Sequence, residues 1–295
     1  RAQCIARWSQ PRYALDKRFT PLTLLLDQGV EMQGERYQRQ AHEFSDLQEV
    51  LTRLRQRNER VLVLTGAPGS GKSTLLRRLE LDLANAALSS GDPLVPLTLF
   101  LSLNEFGYRG HTLPDPMQWI TEKWGSITEN LPDFPSLLRK PFFLLLDGLN
   151  EIPHGGQADY RERLAVWKRF LEKIIRDYPS VWIVFSCRTL DYGSQLTTKE
   201  IPRISQVEVV PLSNPQIRSF LQCYAPEQAQ SLWNQLESSA QHDLYRSPYY
   251  LKLLIAQACQ GEIPIGRTQL FTAYILHLLK REVDEHNSRL EVEGL

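Results

Sequence analysis

The run Val61-Leu62-Val63-Leu64-Thr65 leads directly into Gly66-Ala67-Pro68-Gly69-Ser70-Gly71-Lys72-Ser73, and the segment beyond carries Leu75, Leu76, Leu79 and Leu83. The apolar run is too short for a helix and reads as a buried strand, whereas the leucines place one apolar stripe along a helix. Strand, glycine-rich loop and helix in that order constrain this chain more than any other feature. The loop matches GxxxxGK[ST], in which glycines let successive backbone N–H groups curl around phosphate oxygens without Cβ clashes. Lys72 is expected as a solvated cation at the mouth of the site, reaching the β- and γ-phosphates once they arrive. Ser73 would offer its hydroxyl to Mg²⁺, and the helix beginning near Gly71 points its positive end at the anion. Gly66, Ala67, Pro68, Gly69, Ser70, Gly71, Lys72, Ser73 and Thr74 are therefore the expected contacts of a nucleoside triphosphate, with ATP/ADP as the expected nucleotide.

Further strands are expected at Pro96–Leu103, Phe142–Leu146, Val181–Phe185 and Val207–Val210. Helices are expected at Glu43–Arg57, Asp115–Trp124 and Tyr160–Tyr178, with a Pro-rich surface connection through Pro132 and Pro135. Strands alternating with helices imply an α/β fold, a parallel sheet flanked by helices on both faces. After Pro211 the pattern turns helical throughout, at Ile217–Tyr224, Glu227–Glu237, Pro248–Ala258 and Thr268–Val283. A small all-helical domain thus follows the sheet domain, with a boundary near Val210–Asn214. The stretch before Gly34 shows only a short apolar segment around Phe19–Leu26.

Composition narrows the function classes. Lys plus Arg (34) equals Asp plus Glu (34), so no global field draws the chain to nucleic acid or anionic lipid. Arg53, Arg55, Arg57 and Arg60 read as a solvated helix face, with a local basic patch as the other reading. Cys4, Cys187, Cys223 and Cys259 are scattered without a CxxC pair and read as reduced thiols of a cytoplasmic protein. No apolar run approaches the roughly 18 residues that span a bilayer. The chain begins at Arg1 without an initiator methionine or a signal peptide, so a segment of a longer protein is expected.

Asp147 ends the apolar run Phe142–Leu146, at the sheet edge where α/β proteins bind ligands. In P-loop proteins an aspartate here helps hold Mg²⁺, with Ser73 as the other metal residue. Gly148-Leu149-Asn150-Glu151-Ile152 follows. A GAPGSGKST loop with strand-Asp-Gly-Leu-Asn-Glu-Ile resembles the NACHT family of STAND signalling ATPases. In that family a small residue follows the aspartate, and acidic residues come three and four positions on. Here Glu151 keeps the second acid, while Asn150 replaces the first. The resemblance implies that Glu151 orients or deprotonates the attacking water. Lys72, Asp147, Asn150 and Arg188 complete the expected catalytic set.

Val181-Trp182-Ile183-Val184-Phe185-Ser186-Cys187-Arg188 resembles the family's sensor strand, whose final arginine contacts the γ-phosphate. Arg246-Ser247-Pro248-Tyr249-Tyr250-Leu251 resembles the motif whose proline packs on adenine, and Phe19-Thr20-Pro21-Leu22 is the upstream segment expected near the base. The implied organisation is an N-terminal segment with an amphipathic helix (1–58), the nucleotide-binding domain (59–211), a helical domain (212–265) and a helical linker (266–295) that forms the approach to, or the start of, a truncated winged-helix domain. Neither His277 nor His286 has a context matching that domain's nucleotide-binding histidine. The implied function is a slow ATPase whose nucleotide state controls conformation and self-association in innate-immune or antiviral defence signalling. A P-loop phosphotransferase and a non-hydrolysing nucleotide-binding scaffold remain the alternatives.

Overall fold

The computed structural model describes residues 1–10, 19–33, 36–92, 94–107, 113–127, 132–193, 196–198, 201, 204–258, 271–272 and 275, with only the backbone considered for 27–42. In chain order the first elements are α1 (Ala2–Trp8), β1 (Leu24–Gln33), β2 (Arg36–Phe44), α2 (Leu47–Gln56), β3 (Val61–Gly66), α3 (Lys72–Ser90), β4 (Leu97–Ser102) and α4 (Pro116–Gly125). They are followed by α5 (Phe134–Leu137), β5 (Phe142–Asp147), α6 (Gln157–Asp177), β6 (Val181–Arg188), β7 (Ser205–Val209), α7 (Asn214–Tyr224), α8 (Ala229–Glu237) and α9 (Pro248–Ala258). The chain folds into two compact units, one of Arg1–Lys17 and Pro21–Val210 and the other of Arg18–Thr20 and Pro211–Leu295.

The first unit holds a seven-stranded sheet in the order β2-β1-β7-β3-β6-β5-β4. From β7 to β4 the strands run parallel, with β6 inserted between the loop-bearing β3 and β5. Apolar runs such as Phe142–Leu146 are buried on both faces, as central parallel strands require. The period of two then separates two cores. Val61, Val63, Leu144, Leu146, Ile183 and Phe185 join one cluster with Trp119 of α4 and Trp167 of α6. Leu62, Leu64, Leu145 and Val184 are buried on the opposite face, as are Leu75, Leu76 and Leu79 of α3.

Helix boundaries follow from capping. The Asp46 carboxylate accepts from the Gln48 N–H at 2.8 Å and opens α2. Asp115 likewise accepts from the Gln118 N–H at 3.1 Å, with Pro116 in the first turn of α4. In the second unit, Ser213 and Gln216 form a capping box at the start of α7. There Trp233 of α8 is buried, and the Arg218 guanidinium lies 4.3 Å from its ring centroid.

The sheet is mixed rather than wholly parallel. β1 pairs antiparallel with β7 through Leu24↔Val209, and β2 pairs antiparallel with β1 through Leu24↔Phe44. Phe44 therefore ends a strand instead of opening the helix expected from Glu43. Only its spacing to Leu47 and Leu51 fits a helical stripe; the Asp46 cap starts the helix later. The Pro-rich connection is also partly core, because α5 buries Phe134 and Leu137. A helix at the very start was not foreseen. α1 packs on α3, where buried Trp8 donates its indole N–H to Glu80 Oε2 at 2.6 Å. Glu80 Oε1 in turn accepts the Phe100 N–H at 3.0 Å, satisfying a donor on the edge strand β4.

The segment 266–295 and the helix expected over Thr268–Val283 lie outside the described residues except for 271–272 and 275, which are helical. Cys259, His277 and His286 also lie outside them. Among the described residues no helix is long and apolar enough to cross a membrane.

Candidate functional site

The loop after β3 turns sharply into α3. Gly69 and Gly71 have φ of 73° and 100°, in the left-handed region that a Cβ disfavours, so the motif's glycines are a backbone requirement here. Gly71 stands at the N-cap of α3 and leaves the first-turn N–H groups of Lys72, Ser73 and Thr74 available to an anion. Ala67, Pro68 and Gly69 are exposed, while Ser70 is buried beneath the turn.

Lys72 is not a freely solvated cation. Its Nζ donates to the carbonyl oxygens of Gly66 at 2.8 Å and Ala67 at 2.9 Å, and to Ser70 Oγ at 3.4 Å. Burial holds its ammonium below the ordinary lysine value; Asp147, Cys187 and Glu151 oppose that drop and Arg188 adds to it. These interactions place Lys72 within electrostatic reach of Asp147, Glu151 and Arg188.

Asp147 ends β5 and is buried on the α3 side of the sheet. Its Oδ1 accepts the Ser73 hydroxyl at 3.0 Å and the Ser186 hydroxyl at 2.6 Å. Ser186 Oγ also accepts the Gly148 N–H at 2.8 Å. Ser186 was not singled out from sequence. Its signal was a lone hydroxyl in the buried, largely apolar strand β6, on the face that Asp147 shares. Asp147 and Ser73 together offer hard oxygen donors where a triphosphate's Mg²⁺ would sit, so these residues fit that ion. Among the described residues no group of three or more His, Cys, Asp or Glu side chains could hold a metal by itself.

Beyond Asp147 the chain makes a 3₁₀ turn, Leu149–Glu151, entered through Gly148 at φ 81°. A Cβ on Gly148 would lie 3.0 Å from Glu151 Oε2 and 3.2 Å from Glu151 Cβ, so the Glu151 side chain folds back over that glycine. Glu151 is exposed. Asn150 does something unforeseen: its Oδ1 accepts the backbone N–H of Arg188 at 3.1 Å. Arg188 is the last residue of β6, paired in register with Gly66, and its side chain is exposed. Behind this surface Cys187 is fully buried, its thiol pushed up to about 11 chiefly by burial, so it is an inert core group.

One sheet edge thus gathers the loop, Lys72, Ser73, Asp147, Asn150, Glu151 and Arg188. Pro248 opens α9 in the second unit, and Phe19–Leu22 immediately precedes β1. An anion-cradling loop, a hydroxyl–carboxylate pair, an exposed acid and an exposed arginine are what a nucleoside triphosphatase needs.

A search of curated proteins finds no match. Among solved structures, the chain is similar to C. elegans PCH-2 at 18% identity and a TM-score of 0.35, covering 62% of this chain and 46% of that one. The chain thus matches less than half the length of that protein. The NACHT domain profile matches residues 60–228, which takes in every strand from β3 to β7 and the helix α7. The chain belongs to the NACHT domain family of P-loop NTPases.

Proposed function

We propose that this chain is the ATP-driven switch of a STAND-type signalling protein, a slow ATPase whose nucleotide state sets its conformation and self-association. The observation that carries the proposal is the meeting of Lys72, the Ser73–Asp147 pair, Glu151 and Arg188 at one sheet edge. The N–H groups of the loop and Lys72 hold the β- and γ-phosphates. Ser73, backed by Asp147, holds Mg²⁺, which when bound offsets charge on the phosphate oxygens. Glu151 accepts a proton from, or orients, the attacking water, and Arg188 contacts the γ-phosphate. A contact made only to the third phosphate supplies the differential binding that a switch needs. Pro248 packs on adenine, as the family resemblance implies, and the setting is cytoplasmic defence signalling. These finer assignments rest on the resemblance.

Glu151→Gln tests the catalytic assignment. The variant keeps shape and most hydrogen bonding but loses the charge. It should bind ATP as the parent does and cleave it in single turnover slower by on the order of a hundredfold. Cleavage at the parental rate would move the catalytic role elsewhere.

A further inference from the structure

The β5–β6 ladder runs from Phe142↔Val181 to Leu146↔Phe185, just short of the functional residues. Beyond it, side chains take over the cross-links. Ser186 Oγ bridges Asp147 Oδ1 and the Gly148 N–H, and Asn150 Oδ1 accepts the Arg188 N–H. On the other side of β6, Gly66 pairs in register with Arg188 and accepts the Thr189 N–H at 3.3 Å. The Arg188 backbone is therefore pinned from two sides, by the first residue of the phosphate loop and by Asn150. Glu151 follows Asn150 within the same turn, closed by the Glu151 N–H on the Gly148 carbonyl at 2.8 Å.

We propose that Asn150 is a positioning residue that ties the turn carrying Glu151 to the strand end carrying Arg188, so that γ-phosphate contact and water orientation stay in register. The position requires a hydrogen-bond acceptor and not an acid. An amide oxygen supplies one, and a carboxylate would supply a stronger one to the same N–H. A side chain without an acceptor leaves the exposed Arg188 N–H to water, removes the link and lets the turn and strand end drift apart. This role rests on the proposed ATP hydrolysis and assigns no proton transfer to Asn150.

The test compares the parent with Asn150→Asp, Asn150→Leu, Asn150→Ala, Arg188→Ala and the double variant Asn150→Leu/Arg188→Ala. Single-turnover cleavage and the ATP and ADP affinities are measured for each, with the alanine variant replacing leucine if the latter fails to fold. Asn150→Asp should cleave within about threefold of the parent, whereas Asn150→Leu should be slower by about tenfold, the rate equivalent of one lost hydrogen bond. The ATP-to-ADP affinity ratio should fall in Asn150→Leu as it does in Arg188→Ala. The double variant should fall little further, because the two act as one unit. A merely structural residue would not show that non-additivity. The proposal is overturned if Asn150→Leu behaves like the parent, if Asn150→Asp is as slow as Asn150→Leu, or if the two losses simply add. A parent that binds ATP without cleaving it refutes the hydrolytic role alone, and Asn150 is then decided by the affinity ratio and its additivity.

Discussion

Gly148→Ala probes the site through the least conspicuous of its residues. Gly148 sits at φ 81° and ψ 55°, where an alanine costs about 1–2 kcal/mol of backbone strain. The added Cβ would also meet Glu151 at Oε2 (3.0 Å), Cδ (3.1 Å) and Cβ (3.2 Å). The carboxylate can swing away, but the Glu151 Cβ is held by the backbone of its own 3₁₀ turn. The Glu151 side chain must therefore give by a few tenths of an ångström at its Cβ and carboxylate, which displaces it from its place over residue 148, while Asp147, Ser73 and the phosphate loop keep theirs. Thermal melting should fall by a few degrees, in proportion to the strain. ATP affinity, measured by calorimetric titration with Mg²⁺, should stay within about threefold, and single-turnover cleavage should drop by about ten- to a hundredfold. Combining Gly148→Ala with Glu151→Gln should slow cleavage little beyond the slower single variant, since both act through one carboxylate. Parental cleavage by a folded, ATP-saturated Gly148→Ala protein would show that the Glu151 position seen here is not the working one.

Lys72→Ala should abolish tight ATP binding and leave the fold intact, as calorimetric titration and circular dichroism would show. The carbonyls that Lys72 contacts keep other donors, the Thr189 N–H on Gly66 and the Ser70 N–H on Ala67, so its loss orphans neither. Unchanged affinity would mean that the loop is not the site. Burial lifts the Glu80 carboxyl above its ordinary value of 4.5, so the native chain binds that proton more tightly than the unfolded one. Its contribution to stability is therefore full below 4.5 and is lost as pH rises through the raised value. Glu80→Gln should remove this part of the melting-temperature slope. The same change sets an amide NH₂ against the Trp8 indole N–H if Phe100 keeps its acceptor, costing about 1–3 kcal/mol. Identical pH slopes in the two proteins would refute the assignment.

The phosphate loop and its flanks were legible because each is local. GAPGSGKS carries its conformation in contiguous glycines, Phe142–Leu146 announces a doubly buried strand, and the leucines of α3 declare its face by spacing alone. The family likeness rested on the same contiguous stretches, and it also pointed to Glu151 and Arg188. Tertiary structure decided which distant groups meet. β1 carries only a short apolar stretch, Leu24-Leu25-Leu26, and becomes a strand because β7 offers a partner about 180 residues away. Trp8 and Glu80 are 72 residues apart, Asp147 and Ser186 39, and Asn150 and Arg188 38. Asn150 shows the limit most clearly, since in sequence it is a missing acid and in the fold it is an acceptor. Local patterns report backbone preference and the face a residue buries, both properties of near neighbours. A hydrogen bond between strands depends on strand order and register, which arise only when the whole sheet has formed.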